Sequence, residues 1–215
     1  MGISSIKNSI NFGSQNIFRT SLVELAKKKP QRIIPGFISE LTPADIKRPD
    51  LKSRFWNRTK YGGNIIEDYQ IKATGRYTPN STISPEDDIR FFATEITDKN
   101  GNTKAITLGE AKVRGSFICL DRLQSLKSHC KTNIKGGGSG ILYAVVDLAK
   151  KLDKDLVTLE SHKNAIPFYR RLGMQEFSNG NLVFFRVFKP QYEEFMQRLG
   201  KKFSIKPAEN INIQI

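Results

Sequence analysis

Lys135-Gly136-Gly137-Gly138-Ser139-Gly140 stands between two apolar segments, and the fold turns on how it is read. Ahead of it runs Phe117 to Leu126, an apolar stretch with the character of a strand. Straight after it, Ile141, Leu142, Val145, Val146 and Ala149 recur on one face of a helix that runs to Leu152. Strand, glycine loop and helix together present free backbone N–H groups to an anion. Glycine lets the main chain come close, and the helix N-terminus adds partial positive charge. Gly-Gly-Gly-Ser-Gly is also the composition of a flexible linker. The linker reading fits poorly, because Ile141, Leu142, Ala144 and Val145 follow with no polar spacer. The stretch reads as a phosphate cradle opening a helix over 140–152.

Downstream, Leu156 to Leu159 is a short apolar strand. The resulting strand–helix–strand unit should pair its strands in parallel through a right-handed crossover. Ala165 to Leu172 reads as a helix stopped by Gly173, Gln175 to Val187 as a hairpin around Asn179-Gly180, and Gln191 to Leu199 as a C-terminal helix. Upstream, Asp88 to Thr97 and Lys104 to Arg114 flank a turn centred on Asn100-Gly101, the firmest hairpin signal in the chain. Arg32 to Glu40 alternates like a strand. Thr42-Pro43-Ala44-Asp45 opens a helix with Thr as cap and Pro at its first position. Gly75 to Glu86 is a loop, Lys52 to Tyr69 is ambiguous, and a short amphipathic helix is expected near Leu22 to Lys29. The expected fold is α/β: a single domain with a mixed, mostly antiparallel twisted sheet and helices on both faces. Its organisation is a polar N-terminal extension (1–30), the domain proper (31–188) and a C-terminal helix and tail (189–215).

Composition narrows the classes. The 215 residues are 38% hydrophobic and include 14 Phe, so the chain can bury a sizeable core and is not disordered. No apolar run reaches the roughly 18 residues of a membrane span. Met1 to Phe18 is rich in Ser, Asn and Ile and lacks the apolar core of a secretory signal. Gly2 raises N-myristoylation, but Ile6 stands where that pattern wants Ser or Thr. The Ser/Asn/Ile-rich start also resembles leaders of proteins that bacterial injection systems deliver into host cells. Two cysteines make no disulfide framework, and Cys119 in an apolar strand reads as a buried thiol of a reducing, cytoplasmic compartment. A net charge of +14 favours an anionic partner, and the basic residues are spread over many segments instead of defining one groove.

Two motifs in sequence order carry a family resemblance. Lys135-Gly136-Gly137-Gly138-Ser139-Gly140 resembles the Arg/Gln-x-x-Gly-x-Gly/Ala loop of the GNAT superfamily of N-acetyltransferases. Ala165-Ile166-Pro167-Phe168-Tyr169-Arg170-Arg171-Leu172-Gly173-Met174, preceded by Asn164, resembles that family's Ala-x-x-Phe-Tyr-x-x-x-Gly-Phe signature. The resemblance covers roughly 32–188. Lys135 replaces Arg or Gln, Ser139 replaces a commonly apolar residue, and the approach Lys127 to Ile134 is longer than usual. The resemblance implies acetyl-CoA as co-substrate, and two His and two Cys in no ligand spacing give no metal site. The N–H groups of Gly136, Gly138 and Gly140 would hold the pyrophosphate, with Gly137 in the same loop, Lys135 adding a charge and Ser139 a hydroxyl. Asn164 and Phe168 would also touch the coenzyme. A backbone N–H at Leu123 or Gln124 would receive the thioester oxygen, and Tyr169 would return a proton to the departing thiolate.

The base that deprotonates the amine is expected among Glu95, Glu110 and Asp121. Glu110 leads, because Gly109 and Ala111 leave it room and burial would raise its pKa. Glu160 and His162 could also touch substrate. The acceptor is a primary amine, on a protein (lysine or N-terminus) or another macromolecule such as tRNA. Rival readings are a non-catalytic acyl-CoA-binding domain and a basic nucleic-acid-binding protein, although no nucleic-acid-binding motif is present. A Cys–His pairing from Cys119, His129, Cys130 and His162 lacks an acidic orienter.

Overall fold

The computed structural model describes residues 15–25, 31–51, 65–125 and 133–208. His129, Cys130, the leader over 1–14, most of the ambiguous segment at 52–69 and the final tail lie outside these residues. In chain order the elements are β1 (Gln15–Leu25), β2 (Arg32–Glu40), a 3-10 turn (Pro43–Lys47), α1 (Ile65–Thr74), β3 (Asp88–Thr97), β4 (Thr103–Val113) and β5 (Phe117–Ser125). Then come β6 (Asn133–Lys135), α2 (Gly137–Lys151), β7 (Leu156–Glu160), a 3-10 turn (Lys163–Ala165) and α3 (Ile166–Arg171). β8 (Gln175–Asn179), β9 (Leu182–Phe188), a 3-10 turn (Lys189–Gln191), α4 (Tyr192–Phe203) and β10 (Lys206–Pro207) complete the order.

The strands form one open sheet ordered β10-β1-β2-β3-β4-β5-β7-β9-β8, with β6 beside β1. Among the described residues every pairing is antiparallel except β5 with β7, the pair joined by the crossover helix α2. Period-two alternation explains why both faces are covered. On β3, Ile89, Phe91 and Ala93 join a core with Ile65, Ile66 and Tyr69 of α1, whereas Phe92 joins a second core with α2, α3 and α4. The expected mixed sheet with helices on both faces is the one observed, and the hairpin of β3 and β4 falls within a residue of its expected bounds.

Two expectations fail for identifiable reasons. No helix occupies Leu22 to Leu25; that stretch belongs to β1. Leu22, Leu25 and Ala26 have helical spacing, but Phe18, Thr20 and Leu22 alternate inward. Leu22 is fully buried and the Thr20 hydroxyl donates to the Phe203 carbonyl at 3.2 Å. So part of the expected polar extension is a sheet strand. The crossover helix also begins at Gly137, not 140, because β6 pairs Lys135 with Val23 and Gly136 turns the chain at φ +107°. The C-terminal helix is integral, since Tyr192, Phe195, Leu199 and Phe203 share the α2 core.

Helix α2 lies directly on the sheet. A methyl at Gly109 would collide with Ile141 Cγ2, and one at Gly140 would meet Ile38 Cδ1 at 3.0 Å and Thr94 Oγ1 at 3.3 Å. Gly109→Ala should therefore destabilise the protein by about 1–3 kcal/mol in urea unfolding. Ile141→Ala should couple favourably with it in a double-mutant cycle.

Candidate active site

The glycines of the loop divide into separate roles. Gly136 takes the left-handed turn that only glycine adopts cheaply. Gly137 and Gly140 face the sheet, against Thr107 and against Ile38 with Thr94, so they are small because the helix sits close. Gly138 faces elsewhere: a methyl there would stand 3.2 Å from Phe168 Cζ and 3.3 Å from Leu123 Cδ2. Its missing side chain keeps clear the space where α2, α3 and β5 converge. The first four N–H groups of a helix lack intrahelical acceptors, which leaves those of Gly136, Gly137, Gly138 and Ser139 directed at the solvent end. The expected contribution of the Gly140 N–H is corrected, because it already donates to the Gly136 carbonyl at 2.9 Å. Lys135 is exposed on β6, and Ser139 is buried.

β5 supplies the second part. It pairs with β7 only at Phe117 to Cys119, and beyond Cys119↔Thr158 the two strands separate. β5 keeps its pairing with β4 through Ser125, so Leu123 and Gln124 lie on a strand with one neighbour. Phe168, half-buried, faces Gly138 from α3. Tyr169 is turned inward, edge-on to Phe168 at 4.9 Å and tilted against Phe185 at 5.2 Å. Burial alone pushes its hydroxyl up to about 12, so the phenol holds its proton. Asn164, Glu160 and His162 are exposed at the end of β7 and in the turn after it.

The acidic candidates separate sharply. Glu110 is fully buried on β4, directly opposite Phe91 of β3 and Arg122 of β5. Arg122 Nη1 lies 2.8 Å from Glu110 Oε2 and also contacts Asp68 of α1, whose other oxygen accepts the Thr82 hydroxyl. Burial pushes Glu110 up to about 7, against the opposing pull of Arg122. Glu110 Oε1 has no hydrogen-bond partner among the described residues. Glu95 is also buried and raised by burial, but both of its oxygens are engaged, by Arg48 at 2.6 Å and by the Ser39 hydroxyl at 2.5 Å. Asp121 is the extra residue of a bulge in β5 and pairs with Lys112 at 2.8 Å. Cys119 is pushed up to about 12 by burial, with Asp121 adding to the rise, which removes it as a thiolate nucleophile.

Sequence reasoning did not find Arg122 or Asp68. The signal for Arg122 was a charge inside an otherwise apolar strand, which demands a buried partner; Asp68 sat in the segment read as ambiguous. A cleft of about 490 Å³ opens at the opposite end of the sheet from the start of α2. Glu40, Tyr69, Asp88 and Arg90 help line it, and Arg90 there pairs with Glu40 and Asp88. No helix among the described residues is long and apolar enough to cross a membrane.

No protein-family model matches the chain, and no curated protein matches it. Among solved structures it is similar to the PaiA N-acetyltransferase of Thermoplasma acidophilum in complex with coenzyme A, at 15% identity and a TM-score of 0.45, over 71% of this chain and 98% of that one. It is similar to the ribosomal-protein-S18-alanine N-acetyltransferase of Escherichia coli at 16% identity and a TM-score of 0.46, over 71% and 92% of the two chains. The GNAT domain of PAT from S. lividans gives 13% identity and a TM-score of 0.46, over 72% and 90%.

The raised Glu110 pKa has a consequence for folding. The folded state binds this proton more tightly than the unfolded chain does. Its contribution is therefore present below the ordinary carboxylate value and is lost as pH rises through about 7. A rise from 4.5 to about 7 amounts to roughly 3 kcal/mol. Glu110→Gln, which stays neutral, should be more stable than the native protein at pH 8.5 and similar to it near pH 4.5, read from urea midpoints at both pH values.

Proposed function

We propose that this protein is an N-acetyltransferase that moves the acetyl group of acetyl-CoA to a primary amine of a macromolecule. The observation that carries this reading is the meeting of three features at one gap in the sheet. The free N–H turn at the start of α2 lies on one face, β5 beyond Cys119 has no partner strand toward β7 among the described residues, and a buried carboxylate with an unpartnered oxygen lies on the other face. An anion held by the N–H groups of Gly136 to Ser139 would place a chain running from it beside Gly138, Leu123 and Phe168.

The chemistry assigned to these residues balances. The amine reaches the site as an ammonium, and Glu110 takes its proton through Oε1. The freed nitrogen attacks the thioester carbonyl carbon, whose oxygen accepts a hydrogen bond from a backbone N–H of Leu123 or Gln124. The carbon–sulfur bond breaks, the thiolate takes a proton from Tyr169, the phenol that burial keeps protonated, and the phenolate so formed takes the second proton that the nitrogen sheds as it becomes an amide. A basic surface suits a partner whose body is acidic, which favours a protein or tRNA over a small polyamine.

Glu110→Gln should lower turnover by about 10²–10⁴ while leaving acetyl-CoA affinity unchanged, and the native rate should rise with pH through about 7. Gly138→Asp should abolish binding by filling the cleared space and placing an anion beside the phosphates. Titration calorimetry with acetyl-CoA measures the binding. Mass spectrometry of a lysate treated with the protein and labelled acetyl-CoA identifies the acceptor. Acetyl-CoA bound equally well by Gly138→Asp would sink the coenzyme site.

A further inference from the structure

The two oxygens of Glu110 are not equivalent. Oε2 accepts from Arg122 Nη1 at 2.8 Å, while Oε1 has no partner among the described residues. A carboxylate with neither oxygen held turns readily about its last torsion and presents either one. Here the clamp on one oxygen decides which is offered. The clamp is itself divided, because the same guanidinium nitrogen contacts Asp68 Oδ2. Asp68 is fully buried on α1 and fixed from its far side by the Thr82 hydroxyl. Arg122 is thus held between a carboxylate of the sheet and one of the helix that covers it.

We propose that Arg122 is a positioning residue: it clamps Oε2 so that Oε1 faces the acceptor amine, and Asp68 sets how much of the guanidinium Glu110 receives. The proposal rests on the reading of Glu110 as the base. The charged groups facing Glu110 are Arg122 and Asp121 from β5, Asp68 from α1, and Lys112 from its own strand. Lys112 and Asp121 pair with each other at 2.8 Å, and β3 opposes Glu110 with the uncharged Phe91. Arg122 and Asp68 are therefore the adjustable pair, and they act in opposite directions. Arg122 lowers the proton affinity of Glu110, and Asp68 raises it.

The test is a pH titration of the Glu110 carboxyl carbon by NMR in full-length protein labelled with ¹³C-glutamate, the resonance being the one lost in Glu110→Gln. The native midpoint should lie near 7. Arg122→Met should raise it by about one pH unit, and Asp68→Asn should lower it by about one. Loosened packing would admit water and pull both variants downward, so the upward movement in Arg122→Met is the diagnostic result. Arg122→Lys keeps the charge but not the fork. It should hold the midpoint within about half a pH unit and still lose at least about tenfold of labelled acetyl transfer to lysate protein. A midpoint that stays or falls in Arg122→Met would overturn the clamp. Full transfer by Glu110→Gln would overturn the base reading and with it the role of Arg122 in the reaction, whatever the titration shows.

Discussion

The contact of α2 with the sheet is the constraint on which the rest of the structure depends. Helices usually stand off a sheet by the depth of their side chains. Here Gly109 lets Ile141 of the helix fill the place of its missing side chain, and Gly137 and Gly140 let the helix backbone rest on Thr107, Ile38 and Thr94 of the sheet. The Thr94 hydroxyl donates to the Gly137 carbonyl at 2.8 Å, which pins the first turn of the helix as well as its body. A helix start fixed this tightly has its free N–H groups at a defined place, and preorganised donors bind an anion without the cost of ordering them first.

How much of this could be read from the sequence depended on the range of the interactions. The β3–β4 hairpin, the stop at Gly173 and the parallel strand–helix–strand unit are set by residues close together in the chain, and they were legible. β1 was not. Its inward residues, Phe18, Thr20 and Leu22, meet partners far away, among them Phe203 at the other end of the chain, and such contacts together with pairing to β2 make period two win over the helical spacing of Leu22, Leu25 and Ala26. The candidate site shows the same divide. The glycine run, Phe168 and Glu110 drew attention through local pattern. That Gly137 and Gly140 serve packing, and that the Gly140 N–H is already occupied, followed only once strand and helix were in place.

Glu110 shows why a buried acid in such a place has an unusual energy. Desolvation favours the neutral acid, Arg122 favours the carboxylate, and desolvation is the larger effect. A group balanced in this way gives up and takes protons near neutral pH, which makes stability depend on pH there and suits a base. Glu95 is the informative contrast. It has a similar depth on the neighbouring strand, but one of its oxygens forms an ion pair with Arg48 and the other accepts from the Ser39 hydroxyl, which ties it into the scaffold.

The start of α2 and the Glu110 carboxylate lie on opposite faces of one sheet, so the proposed reaction can use both only where the sheet is open. A fully antiparallel sheet of this size would have no such opening. The one parallel pair changes that, because its strands cannot be joined by a tight turn and need a crossover. The crossover helix must start near the C-terminal end of the strand it follows, which puts free N–H groups at that strand's exit. Beyond Cys119, β5 then has β4 on one side and, among the described residues, no strand on the other, and Glu110 stands opposite Arg122 within the separated stretch. The free helix start and the gap are two consequences of one topological choice, and the buried acid lies beside them. The glycine run, taken with the strand before it and the helix after it, marks that strand's exit, although Gly137 and Gly140 serve packing there.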